Sequence, residues 1–284
     1  MTNPLADLAV ANERVDSSVK FVVAALLREA GDSFILPRFK NLKSAEIRTK
    51  TSETDFVTIA DQDAEAWLTP RLAALWSGPV IGEETVSFSV ETMPHVTDDY
   101  SWTLDPLDGT KNFVRGKPSF CSMVALLWRG WPIKSWIWQP LGNVLFYAGQ
   151  GEGAWRIDDG EEIRLGLSGR PIDIDDMIGT GNTLGLDEPR KTAVQTRLRA
   201  LPGRQFNGSA GIQACLIVSG LSDFMIHGRA TPWDHAPIDL LCREAGGYAA
   251  MLEDKSRFEV NKRTPFMAAS SKVGWAALRQ RVWF

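Results

Sequence analysis

The spacing of apolar residues changes several times along this chain, and each change marks a different kind of element. Between residues 4 and 30, Leu5, Leu8, Val15, Val19, Val22, Val23, Leu26 and Leu27 recur at helical spacing with polar breaks, and Gly31-Asp32-Ser33 closes the run. A second helical stretch covers 61–76, with Ala64, Trp67, Leu68, Leu72 and Leu75 along one side. Pro70 inside it predicts a kink or a split, because proline lacks the helix N–H and its ring presses on the preceding turn. From Tyr100 to about Arg164 the pattern becomes strand-rich. Residues 122–128, 133–139, 144–148 and 153–157 read as strands separated by Gly, Pro and Asn turns, which predicts an antiparallel meander. After Pro171-Ile172-Asp173 strands and helices alternate. Short strands are expected at 178–181, 205–207, 223–226 and 248–251, and helices at 188–200, 209–219 and 234–245. A soft boundary falls at 165–175. It gives an N-terminal α+β part (1–165) and a C-terminal α/β part (166–284), with no internal repeat.

Composition narrows the class without naming an activity. The 284 residues are 44% hydrophobic, enough for a full core. Lysine plus arginine (31) against aspartate plus glutamate (35) leaves −4, no electrostatic footprint for a nucleic acid polymer. Cys121, Cys215 and Cys242 lie far apart in apolar or helical contexts and read as buried reduced thiols without zinc spacing. No apolar window is long enough to span a membrane and no signal peptide is evident, so a soluble cytoplasmic protein is expected. Trp128, Trp131, Trp136 and Trp138 form an aromatic-rich hairpin with only Arg129 and Lys134 as cations. It reads as core or subunit-interface packing, not as base stacking.

The candidate chemistry centres on Trp102-Thr-Leu-Asp105-Pro106-Leu107-Asp108-Gly109-Thr110. An apolar lead-in suggests a buried strand end. Pro106 disfavours helical geometry at Asp105, Gly109 permits a tight turn, and Thr110 can cap the element after it. Two hard oxygen ligands thus sit beside backbone N–H groups, and Mg²⁺ wants the former as phosphate wants the latter. An isolated D-x-x-D would more often be an Asx-turn. Here two more acidic clusters accompany it: Val80-Ile81-Gly82-Glu83-Glu84, and Trp233-Asp234-His235-Ala236 opening an apolar-periodic helix with Pro237 in its first turn.

Together with Asp55-Phe-Val-Thr-Ile-Ala-Asp61, these blocks resemble the inositol monophosphatase family of Mg²⁺-dependent, lithium-sensitive phosphatases, in order and spacing from about Asp55 to Gly247. The resemblance implies a layered helix–sheet sandwich, α/β and α+β, of the inositol monophosphatase and fructose-1,6-bisphosphatase type. It places most metal ligands in the N-terminal part, and the substrate wall and one ligand in the C-terminal part. It implies two or three Mg²⁺ per site, with Mn²⁺ as a substitute: Glu83, Asp105 and the Leu107 carbonyl hold the first, Asp105, Asp108 and Asp234 the second, and a third, weaker ion sits near Glu83. Thr110 paired with Asp61 activates the attacking water, and the N–H groups of Gly109 and Thr110 grip phosphate. Asp61 also reads as an N-cap. Lys50 reads equally as a charge near the metals or a solvated loop lysine.

The implied substrate wall comprises Asp108, Gly208, Ser209, Ala210, His227 and Asp234. Inositol-preferring members carry glutamate where this chain has His227, which puts inositol preference in doubt. Arg229 nearby reads as a solvated loop charge. The expected activity is metal-dependent hydrolysis of a small phosphorylated polyol or metabolite by a homodimer, without nucleic acid or membrane partners. Subfamily signals conflict. Lys111 resembles the bisphosphate nucleotidases and Gln139-Pro140 the histidinol-phosphate phosphatases, so both activities stay open. A non-catalytic, RNA-associated binding role is the rival from another class.

Overall fold

The computed structural model describes residues 4–49, 56–87, 99–168 and 173–283. Lys50 and Asp55 lie outside the described residues. The helical N-terminal run divides at its polar break into α1 (Pro4–Glu13) and α2 (Val19–Ala30), where the Asp16 carboxylate accepts from the Ser18 N–H. A short antiparallel pair, β1 (Ile47–Thr49) and β2 (Phe56–Thr58), leads into α3 (Ile59–Leu75).

Of the two outcomes expected at Pro70, a kink or a split, the split does not occur: α3 runs through it. Both Pro70 and Ala66, whose carbonyl loses its helical partner, are exposed, so that carbonyl lies on the solvent side of the helix.

Next come β3 (Val80–Gly82), the short α4 (Glu83–Ser87), β4 (Tyr100–Asp108) and the five-residue α5 (Thr110–Val114). The expected meander is built from β5 (Cys121–Trp128), β6 (Trp131–Gln139), β7 (Val144–Gly149), β8 (Gly153–Asp158) and β9 (Glu161–Leu165). These strands form a seven-stranded sheet in sequence order from β3 to β9, antiparallel except for the β3–β4 pair. Side-chain alternation assigns the two faces of β5. Met123, Ala125 and Leu127 join one core, while Val124 and Leu126 join the other. The second core packs α1, α2 and α3 against Trp102, Trp136 and Trp138. Trp136 and Trp138 are therefore core residues; Trp128 and Trp131 are half-buried at its edge.

The remaining chain forms β10 (Ile178–Gly181), α6 (Arg190–Arg199), β11 (Gly203–Arg204), α7 (Ala210–Val218), β12 (Phe224–His227), α8 (Pro232–Glu244), β13 (Tyr248–Met251), β14 (Phe266–Ala269) and α9 (Lys272–Val282). The expected strand at 205–207 lies earlier, at Gly203–Arg204, paired in parallel with β10. The Asn207 carbonyl is unavailable for a ladder because it accepts from the Asn112 side chain.

The five-stranded sheet has the order β11-β10-β12-β14-β13. Helices α7 and α8 lie between the two sheets, and their apolar residues (Ala214, Ile217, Ile238, Leu241) join Met123 and Ala125 on one side to Ala249 and Phe266 on the other. Helices α6 and α9 cover the far face through Val194, Leu198, Trp275 and Leu278. The result is five layers, helix–sheet–helix–sheet–helix. Cys121, Cys215 and Cys242 are all buried and free. No helix among the described residues is long and apolar enough to cross a membrane.

Candidate active site

A regular strand points residues i and i+3 to opposite faces. Asp105 and Asp108 would therefore diverge if β4 were regular. It is not: Asp105 pairs with Met123 and Asp108 with Cys121, so three residues on β4 span two on β5. This one-residue bulge brings both carboxylates to the same side. Pro106 gives up no ladder N–H, and its carbonyl accepts from the Ser122 hydroxyl at 2.7 Å. The Asp105 carboxylate accepts from the Leu107 N–H at 2.9 Å, which stiffens the turn. Gly109 then adopts a left-handed conformation (φ 92°), and a Cβ there would meet the Ser119 carbonyl at 2.8 Å. Gly109, not Thr110, is the residue that precedes α5; Thr110 is its first helical residue.

Carboxylate oxygens of Glu83, Asp105 and Asp234 all lie within 4.8 Å of one another. They come from the start of α4, the end of β4 and the first turn of α8. Glu83 is fixed by a residue that sequence reasoning passed over. Buried Glu65 on α3 accepts from the N–H groups of Glu84 (2.9 Å) and Thr85 (2.7 Å) and from the Thr85 hydroxyl (2.6 Å). Gly82 leaves room for that carboxylate, since a Cβ would lie 2.3 Å from its carbon. The available signal was an acid inside the apolar stripe Ala64–Leu68–Leu72.

Asp108 stands at the edge of the cluster and is clamped to the start of α7. It accepts from the Ser209 hydroxyl (2.5 Å) and from the N–H groups of Gly211 (2.7 Å) and Ala210 (3.2 Å). Ser209 also caps α7 by accepting from the Ile212 N–H. The expected wall residues Ser209 and Ala210 thus meet the metal-site carboxylate directly, while Gly208 passes beside the Asn112 amide.

Burial raises the pKa of Asp105, and the charges of Glu83, Asp108 and Asp234 raise it further. Asp234 is raised by burial and then by Asp108 and Glu83, against the Thr231 hydrogen bond. Burial also raises Asp108, opposed by its Ser209 and α7 donors. Such an array of oxygen ligands, whose negative charges oppose one another, suits a hard divalent cation. Among the described residues it is the group of acidic, cysteine or histidine side chains close enough to hold one.

Beside it lies the expected Thr110–Asp61 pair. The Thr110 hydroxyl is 2.9 Å from Asp61 Oδ1 and 3.0 Å from the Leu107 carbonyl. Thr58, not Asp61, caps α3; Asp61 sits in the first turn and accepts at Oδ2 from both the Thr58 N–H (2.9 Å) and its hydroxyl (2.5 Å). Burial pushes the Asp61 carboxyl up to about 6 despite these donors.

His227 is tied to the carboxylates through a second histidine. The Thr231 N–H donates to His235 Nδ1 at 2.9 Å, so that nitrogen carries no proton. The network then assigns the proton to His235 Nε2, which donates to His227 Nδ1 at 2.9 Å. His227 consequently carries its proton on Nε2. Burial lowers its pKa to about 4 and holds it neutral. The Thr231 hydroxyl donates to Asp234 at 2.7 Å, which joins this relay to the carboxylates. His235 gave no sequence signal, because its partner lies on another element. Thr231-x-x-Asp234 did give one, as a capping pattern.

Comparison with known proteins agrees with this geometry. The model of the inositol monophosphatase family matches residues 16–283. Inositol monophosphatase 2 of Saccharomyces cerevisiae is 30% identical over 211 residues, 70% of each chain. Nus factor SuhB of Pasteurella multocida is 32% identical over 212 residues, 70% of this chain and 73% of its own. The fold matches that of an IMPase/NADP phosphatase solved with Mg²⁺ and phosphate (TM-score 0.76, 21% identity, 93% of this chain and 94% of that one). The relatives' names differ in substrate and role but converge on one scaffold. A match over nearly the whole chain, on a fold that brings Glu83, Asp105 and Asp234 together, makes this protein a member of the inositol monophosphatase family, a phosphoric monoester hydrolase.

Proposed function

We propose that this chain hydrolyses a small phosphorylated polyol or related metabolite with Mg²⁺, through the site formed by Glu83, Asp105, Leu107, Asp108 and Asp234. The observation that carries this reading is the convergence of three carboxylates within 4.8 Å beside a threonine paired to a buried aspartate. Glu83, Asp105, Asp108, Asp234 and the Leu107 carbonyl would hold the ions. Bound Mg²⁺ supplies charge neutralisation for the phosphate oxygens and acidifies water.

The chain's own residues do the rest. Thr110 has one hydroxyl proton and two acceptors. When it donates to Asp61 Oδ1, its lone pairs face outward and accept from the attacking water. Asp61, with its pKa near 6, takes that proton through Thr110. Thr58 holds the other Asp61 oxygen and keeps the carboxylate aimed. The N–H groups of Gly109 and Thr110 at the α5 start would donate to the phosphate oxygens.

On the leaving-group side, His227 takes the place of a carboxylate. The relay from Thr231 makes it a neutral N–H donor, which can donate to a carbonyl, ether, ring nitrogen or hydroxyl but offers no charged acceptor for substrate hydroxyls. This removes the advantage a carboxylate there would give a plain inositol ring and leaves room for phosphorylated metabolites with a carbonyl, ether or ring-nitrogen acceptor.

Phosphate release from inositol-1-phosphate, histidinol phosphate, fructose-1,6-bisphosphate and phosphoadenosine phosphate, with and without Mg²⁺, tests both claims. Release that persists in chelator overturns the metal-dependent reading. Inositol-1-phosphate as the preferred substrate overturns the donor reading of His227.

A further inference from the structure

A cavity of about 700 Å³ shares no lining residue with the carboxylate site. It opens between α6, α9 and the turn after β13. Arg197, Lys255, Lys272, Arg279 and Arg281 converge on it from those three elements, and no acidic side chain lines it. A sphere of that volume is about 11 Å across, well inside the ~30 Å screening length of 0.01 M salt, so at low ionic strength the five charges act on one another and on anything inside. The chain as a whole carries −4, so this concentration runs against its average.

Ordinary helix electrostatics accounts for only part of it. Arg279 and Arg281 occupy the last turn of α9, where a cation is favoured. Lys272 occupies the first turn, where a cation is disfavoured. Lys255 sits in a left-handed turn (φ 58°), a conformation that costs a non-glycine residue energy. Lys255, Lys272 and Arg281 make no ion pair among the described residues. Arg279 is aimed by its bonds to the carbonyls of Leu252 (2.7 Å) and Glu253 (3.2 Å).

The floor is aromatic. Tyr248 packs edge-on against Trp275 at 5.2 Å, and the Lys272 ammonium lies 5.6 Å from the Tyr248 ring centre. Trp275 and Trp283 are buried, so the cations stand on a dry, low-dielectric base that weakens screening. The volume falls within the range of small-ligand pockets, and its concave shape suits a compact ligand more than a long backbone.

We propose that this cavity is a second binding site, for a small polyanionic phosphate compound with two or three linked phosphates, which it holds directly through lysine and arginine. The carboxylate site offers phosphate little without divalent ions. This one needs none, and that difference separates them experimentally.

The test is calorimetric titration of inorganic tripolyphosphate into the full chain in chelator at low salt, where no turnover occurs. Binding at one site per chain is expected, weakened about tenfold or more in Lys272→Ala/Arg281→Ala and by a smaller factor in Lys255→Ala. The control Lys191→Ala/Arg199→Ala removes the same charge from exposed positions of α6 outside the cavity, and should change affinity less than about twofold. Absence of binding at millimolar concentration overturns the proposal, as does equal weakening in the control. A single-stranded RNA oligonucleotide that binds more tightly than tripolyphosphate, and loses that binding in the same double variant, would instead make this surface a nucleic-acid contact.

Discussion

Helices α3 and α8 open on the same Thr-x-x-Asp spacing. Thr58-x-x-Asp61 opens one and Thr231-x-x-Asp234 the other, and in each the threonine hydroxyl donates to the aspartate three residues on, at 2.5 Å and 2.7 Å. Their surroundings then diverge. Asp61 is buried among donors: the Thr58 N–H, the Thr58 hydroxyl and the Thr110 hydroxyl. Asp234 faces other carboxylates, with Glu83 and Asp105 within 4.8 Å. A carboxylate among donors is equipped to exchange a proton, whereas one among carboxylates requires a cation. The local motif sets where each oxygen points, and the tertiary neighbours set what it is for.

Charge removal from the ligand group gives the largest expected effect. Asp105→Asn and Asp234→Asn should each lower kcat about 10³-fold or more, roughly 4 kcal/mol of transition-state stabilisation, and raise the Mg²⁺ concentration for half-activity. Normal kcat at saturating Mg²⁺ would take both out of the ligand set. Asp61→Asn and Thr110→Ala should cost kcat about 10²-fold while leaving the Mg²⁺ midpoint unchanged and KM nearly so. A shifted midpoint in Asp61→Asn would erase the distinction between the two aspartates.

His227→Glu probes what the α8 start does beyond positioning Asp234. It replaces a neutral donor with an acceptor, so kcat/KM ratios across the substrate panel should move toward polyol phosphates by about 10-fold. Unchanged ratios would leave the histidine pair a structural feature only.

The pH dependence of stability sharpens the comparison further. In the metal-free chain Asp61, Asp105, Asp108 and Asp234 all hold protons more tightly than in the unfolded chain, where aspartate titrates near ~3.9. The folded state therefore binds more protons between the two values, and stability falls as pH rises; for Asp61 that window runs from about 4 to about 6. Buried neutral His227 and His235 act in the opposite sense below about 6.5, so the carboxylate contribution is read as a difference. Tm in saturating Mg²⁺ minus Tm in chelator should grow as pH rises from 5.5 to 7.5, because the ions favour the ionised ligands. A difference that shrinks with rising pH contradicts the assignment.

The smallest effects belong to the caps. Thr58→Ala should cost about 1 kcal/mol in denaturant unfolding, because its hydroxyl accepts from the Ala60 N–H, and Thr231→Ala less, because its hydroxyl accepts from no helix N–H. Equal losses would mean that the bond to Ala60 contributes nothing.

What could be read from the chain divides along the same line of local against tertiary. The meander was legible because alternation, glycine turns and proline act over a few residues, and three helices of the C-terminal half, α6, α7 and α8, were placed to within two residues for the same reason, while α9 and β14 were not foreseen. The candidate ligands were legible through motif order, since each sits where its own strand or helix ends. Pro70 misled because its effect depends on which side of α3 meets solvent. The histidine pair was hidden because its members lie on different elements, β12 and α8, and Glu65 showed only as an acid in an apolar stripe, with nothing to name its partners. The bulge in β4 was equally hidden, since nothing in Asp-Pro-Leu-Asp states how many residues of β5 it will face.

That bulge makes the site coded by length. Asp105 and Asp108 share a face because one surplus residue separates them, not because of what Pro106 and Leu107 are. Substitutions between them leave the count intact and tune the turn. A single-residue deletion there would restore regular pairing geometry and turn the second carboxylate to follow a different arm of the pleat. Divergence by substitution can therefore explore new substrates while keeping the metal ligands, whereas insertions and deletions in this stretch dismantle them. A designer who grafts the site must transplant the spacing along with the residues.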